Sequence, residues 1–162
     1  MSREARDVPD VIARPPLILF VTLVAGLVLD QLYPAGHIGQ MATSLRYLAA
    51  GCAFLAGIAL LGTAANEMRK IGTNIPTWEP ALALATEGIF ATSRNPIYLS
   101  FVLLMIAFAL IFSSDWILVL IVPFMLVMHF GVIRREEVYL LERFGAPYAD
   151  YMKRVPRYAF GI

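Results

Sequence analysis

Two short runs hold most of the side chains in this sequence that could do chemistry. The first is Arg134-Arg135-Glu136-Glu137. Adjacent carboxylates lie on different faces of a helix, so one of the two glutamates must turn inward. An inward carboxylate in an apolar protein needs a donor or a cation beside it. His129 precedes Glu136 by seven residues and Glu137 by eight, about two helical turns, so its ring can share a face with either. A histidine there also reads as a packing residue with its hydrogen bond satisfied. The second run is Arg94-Asn95-Pro96-Ile97-Tyr98. Pro96 suits the first turn of a helix, and a helix N-terminus binds anionic or polar ligand groups. Upstream, Gly72-Thr73-Asn74 followed by Pro76 and Pro80 interrupts any continuous helix. Irregular backbone of this kind needs hydrogen-bond partners from water, protein or a ligand.

The elements that must position these residues are apolar helices. The 162 residues are 59% hydrophobic and 15% charged, where soluble domains run near ~45–50% and ~25%. That balance excludes a disordered chain and points to a bilayer. Uncharged stretches predict spans at 17–33, 47–66, 96–114 and 116–133, since ~20 helical residues cross a ~30 Å hydrocarbon layer. The expected fold class is all-α: a polytopic membrane helical bundle of about four transmembrane helices plus a C-terminal cytoplasmic or interfacial helix, in one domain over 1–162. Asp30 in the first span must sit near an interface or face the bundle. That segment is read as mature structure, because no small-residue cleavage pattern follows it.

Twelve of the 13 Lys and Arg residues fall in 1–16, in the 67–94 connection and after Ile133, leaving Arg46 alone in the other connections. The positive-inside rule then puts both termini, 67–96 and 134–158 in the cytoplasm, which in a bacterial cell means the inner membrane. Trp116 and Tyr33 fall at the opposite interface. A net charge of +1 gives no reason to invoke nucleic acid, and one cysteine cannot form an internal disulfide. Nothing near Cys52 would activate it as a nucleophile, so it reads as a small packed residue. Ala49, Ala53 and Gly57 make a smooth stripe where a neighbouring helix can approach, and Pro123 predicts a kink in the fourth span. In the tail, Val138, Leu141, Phe144, Tyr148, Tyr151 and Val155 mark an apolar face, which on its own reads as an interfacial amphipathic helix.

Taken together, the run from Gly88 through Arg94-Asn95-Pro96-Ile97-Tyr98, and the later Glu136-Glu137-x-x-Leu140-x-x-x-Phe144-Gly145-x-x-Tyr148-x-x-Tyr151-x-x-x-Val155-Pro156, resemble the isoprenylcysteine carboxyl methyltransferase and phospholipid methyltransferase group. The resemblance covers roughly 66–158 and includes the spacing between the two clusters. It implies an integral membrane enzyme using S-adenosyl-L-methionine, with Arg94, Asn95, Pro96 and Tyr98 lining the cofactor site. Tyr98 would offer a ring face to the sulfonium. One of Glu136 and Glu137 would accept hydrogen bonds from the ribose hydroxyls, and Tyr148 and Tyr151 would close the tail over the cofactor. Arg134 or Arg135 could orient an anionic substrate group, and His129 or the second glutamate could act as a base for an amine nucleophile. No metal is implied. Asn95 stands where the prenylcysteine enzymes commonly carry histidine, which leaves open whether a carboxylate oxygen or an amine nitrogen of a lipid or other amphiphile is methylated. Two readings compete: a sterol-reductase type of membrane enzyme with a nicotinamide cofactor, and a membrane scaffold whose clusters only anchor helix ends.

Overall fold

The computed structural model describes residues 8–158. Arg3 and Arg6, which count toward the charge bias of the first segment, lie outside these. Six helices follow in chain order: α1 (Pro15–Leu32), α2 (Thr43–Lys70), α3 (Pro96–Phe112), α4 (Asp115–Met128), α5 (Arg134–Phe144) and α6 (Ala146–Arg154). One wide π-helical turn, His129–Ile133, joins α4 to α5, so the two run on as a single rod. There is no strand among the described residues. Three helices are long and apolar enough to cross a bilayer: α1, α2 and the α4–α5 rod. The fold is an all-helical membrane bundle.

A helix lies over each expected span, with ends shifted for local reasons, and α3, at 17 residues, is shorter than the three that reach spanning length. The third expected span, 96–114, stops at Phe112 because Ser113 turns into the left-handed region at φ 56°. Ser114 then caps α4 by accepting from the Ile117 N–H at 3.0 Å. At its other end α2 runs on to Lys70 and closes in a Schellman motif. The Gly72 N–H reaches the Arg69 carbonyl at 3.0 Å and the Thr73 N–H reaches that of Met68 at 3.1 Å, with Gly72 at φ +70°. The fourth span departs from α geometry at His129–Ile133 rather than at Pro123, through which α4 passes unbroken. The wide turn leaves the Gly131 carbonyl to a partner outside the helix, the Ile12 N–H at 3.1 Å.

Packing corrects the small-residue stripe and the cysteine. The fully buried positions of α2 are Ala50, Gly57 and Ala64, seven apart, rather than the four-residue row Ala49, Ala53 and Gly57. Gly57 meets Leu104 of α3. Cys52 is exposed on the other side of α2. Between α1 and α4, a Cβ on Gly26 would stand 2.5 Å from the Ile117 Cγ1 and 3.1 Å from its Cα. Gly26→Ala must therefore push these helices apart, at about 1–3 kcal/mol. We expect a clearly lower thermal midpoint for the detergent-solubilised variant; an unchanged midpoint would mean that α1 does not seat against Ile117.

The end of the bundle away from Arg94 is tied by polar contacts. Asp30 faces inward and accepts from the Ser114 hydroxyl, as its position in an apolar helix requires. Asp115 accepts from the backbone N–H groups of His37 and Ile38 at 2.7 and 3.1 Å. The Trp116 indole donates to the Tyr33 carbonyl at 2.7 Å.

The tail does not keep the single apolar face read from its sequence. Val138 and Leu141 on α5 are 58% and 40% exposed, while Tyr148, Tyr151 and Val155 are buried. These three pack on Leu84, Leu140, Phe144 and Met152. Gly145, at φ +58°, turns the chain so that α6 folds back over α5 and the 71–95 connection.

Candidate functional site

The fold gathers the two runs around one cleft at the α3–α5 end of the bundle. Its cavity volume is about 140 Å³, and it opens to the surface. Arg94, Asn95, Pro96, Tyr98, Glu136, Glu137, Tyr148 and Tyr151 all line it. Phe90, Ile133, Tyr139 and Leu140 add apolar wall, and the connection adds Thr73, Asn74, Thr77 and Leu84. His129 and Arg134 do not line it. His129 sits in the wide turn, with its Nδ1 2.9 Å from the Tyr158 hydroxyl. Arg134 is exposed, its guanidinium 5.9 Å from the Phe130 ring centre. Arg135 also points elsewhere, donating to the Asp10 carbonyl at 2.8 Å. His129 stays within electrostatic reach of Glu137, although its ring lies outside the cleft.

The adjacent glutamates have different partners. Glu137 is gripped by two arginines: Arg157 donates from Nε at 2.9 Å and from Nη2 at 2.6 Å, and Arg94 Nη1 lies 3.0 Å from Oε1. Glu136 faces no arginine among the described residues; it accepts from the Tyr98 hydroxyl at 2.6 Å. Burial pushes its carboxyl up to about 7 and the Glu137 charge adds to this, while the Tyr98 hydrogen bond opposes it. Tyr148 is pushed up to about 12, chiefly by burial and then by Glu137, so its hydroxyl stays protonated.

Arg94 is the one Lys or Arg among the described residues lining the cleft. Its side chain is 10% exposed. Nε and Nη1 are buried with no hydrogen-bond acceptor, since the 3.0 Å approach to Glu137 is an ion pair that no N–H bond points along. A guanidinium held this way has donors on Nε and on Nη1 left for an anionic or polar group.

The backbone around Arg94 is set by the tail. The Arg94 N–H donates to the Pro156 carbonyl at 3.0 Å, and Asn95 Nδ2 donates to that of Arg157 at 3.0 Å. Asn95 thus gives one amide donor to the chain while it borders the cleft. The connection folds by its own polar groups: Thr73 Oγ1 accepts from the N–H groups of Leu82 and Ala83 at 3.0 and 3.2 Å, and the Ala81 N–H donates to the Tyr139 hydroxyl at 3.0 Å. Thr77 and Tyr139 were not singled out from sequence, Thr73 was read only as part of an irregular backbone, and Arg157 only as one of the basic residues facing headgroups. The available signals were the polar Thr-Asn step after Gly72, a tyrosine three residues beyond Glu136 on the same helical face, and an arginine directly after Val155-Pro156.

An all-helical membrane protein with a polar, aromatic-walled cleft at one end of its bundle is the class that fold and site define. The sequence pattern of the phospholipid methyltransferase family matches residues 45–147, more than half of the chain, and the chain belongs to that family. It is a membrane methyltransferase by that membership. No curated protein and no solved structure matches the chain.

Proposed function

We propose that the cleft binds S-adenosyl-L-methionine and that the chain carries a methyl group from it to an oxygen or nitrogen nucleophile of a lipid or other amphiphile arriving from the bilayer. The observation that carries this reading is the buried Arg94 guanidinium, with two nitrogens lacking acceptors, facing one cleft with Glu136 and a set of aromatic rings. The donor set fits the cofactor's groups. Arg94 suits its carboxylate, the oxygen of Glu136 not bonded to Tyr98 suits the ribose hydroxyls, and the faces of Tyr98 and Tyr148 suit a cation. When bound, the cofactor supplies an electrophilic methyl group on a sulfonium.

The chain's own contribution is alignment and exclusion of water. Tyr148 and Tyr151 on α6 cover the cleft, and Ile133 and Leu140 keep its wall dry. A carboxylate nucleophile needs no base. An amine would hand its proton to Glu136, because Glu137 is held by two cations. Arg134, exposed where α4 leaves the apolar region, suits an anionic headgroup rather than the cofactor. The charge bias supports a cytoplasmic side for this end of the bundle and for both termini.

The test is binding of radiolabelled S-adenosylmethionine to detergent-purified protein, followed by methyl transfer to a fractionated lipid extract. Saturable binding that competes with S-adenosylhomocysteine, and a labelled lipid product, are the expected results. Absence of saturable binding by the folded protein sinks the proposal, and binding of a nicotinamide cofactor in its place would favour the reductase reading.

A further inference from the structure

We propose that Arg157, which does not line the cleft, is the positioning residue that makes its cationic pole, so the pole exists only while the C-terminal tail is seated. The inference rests on the reading that Arg94 receives the cofactor carboxylate. Glu137 stands between two guanidiniums, and the Arg157 fork occupies both its oxygens, at 2.9 and 2.6 Å. Arg94 therefore gets proximity to the carboxylate, 3.0 Å from Oε1, without an aligned hydrogen bond. Two cations on one carboxylate leave the cluster one positive charge in excess. That excess resides on Arg94, whose side chain is 10% exposed where that of Arg157 is 30% exposed. The same tail fixes the lip of the cleft: carbonyls of Pro156 and Arg157 accept from the Arg94 backbone and from the side chains of Ser93 and Asn95, at 3.0 to 3.3 Å.

Without the Arg157 fork, Glu137 has both oxygens open and Arg94 can turn onto it as a closed, neutral two-point pair. The nitrogens that faced the cleft are then used up. Arg157 thus acts on a ligand anion through Glu137 and Arg94, by keeping the carboxylate occupied. An effect passed this way belongs to the ligand's negative group alone.

The experiment compares the full-length protein in detergent with S-adenosylmethionine and with its decarboxylated analogue, by equilibrium binding. Wild type should prefer the carboxylate-bearing ligand. Arg157→Gln should weaken that ligand about tenfold, a usual size for coupling between groups, and leave the analogue within about twofold. Arg157→Lys, which keeps the charge and loses the fork, should fall between, and it decides the matter if Arg157→Gln does not fold. Equal weakening of both ligands overturns the inference, since a merely structural role loosens the whole cleft. No weakening overturns it too. If wild type binds the two ligands alike, the carboxylate reading of Arg94 fails first and takes this inference with it.

Discussion

Arg94→Gln is expected to weaken cofactor binding by about a hundredfold while leaving the protein folded. Hydrogen bonds to a charged group contribute about 1.5–3 kcal/mol each. Arg94 has two buried nitrogens without acceptors, Nε and Nη1. Losing charged donors of that kind costs about 3 kcal/mol, and each 1.4 kcal/mol is about a factor of ten. The fold tolerates the change because Arg157 and Glu137 remain a balanced pair, and the backbone bond from residue 94 to Pro156 does not depend on the side chain. Arg94→Lys should recover little, since a single ammonium cannot place donors at both the Nε and the Nη1 positions. Equilibrium binding alongside a thermal melt checks both halves. An unchanged affinity removes Arg94 from the site, and a collapsed melting midpoint makes it a structural residue.

Why some of this was legible in the sequence, and some not, follows from the physics of each signal. Apolar stretches report the spans because a bilayer demands length and hydrophobicity, and α1, α2 and the α4–α5 rod meet that demand. Spacing reports faces only while helix geometry stays regular. The wide turn at His129–Ile133 departs from regular helix spacing, and the partner of its Gly131 carbonyl, the Ile12 N–H, lies over a hundred residues away in the chain. Family likeness located Arg94, Tyr98, Glu136 and Tyr148, all of which border the cleft. It could not say which glutamate is free, because that depends on Arg157, whose side chain reaches Glu137 only once α6 has folded back. The same distance in sequence hid one contact of Asn95, whose amide nitrogen donates to a tail carbonyl.

Replacing the two glutamates one at a time should separate structure from chemistry at neighbouring positions. Glu137→Gln leaves Arg94 and Arg157 beside each other with no counter-charge. Breaking a buried pair from one side costs about 3–5 kcal/mol, and the 30% exposure of Arg157 puts this one toward the lower figure. A large drop in thermal midpoint, or failure to purify as a monodisperse species, is expected. Glu136→Gln removes a group that has no arginine partner, so the midpoint at neutral pH should hold or rise. Its signature lies in pH dependence. Burial raises the Glu136 carboxyl from 4.5 to about 7 in the folded protein, so the folded state holds this proton more tightly than the unfolded chain does. Stability from this group is fully present below pH 4.5 and is lost as pH rises through about 7. Relative to Glu136→Gln, wild type should therefore lose midpoint steadily between pH 5 and pH 8, and the variant's curve should be flatter across that window. Parallel curves would show that Glu136 carries no such burden. A Glu137→Gln protein melting with wild type would show that the arginines do not depend on that carboxylate, and with it would fall the separation of one glutamate that builds the cleft from one that works in it.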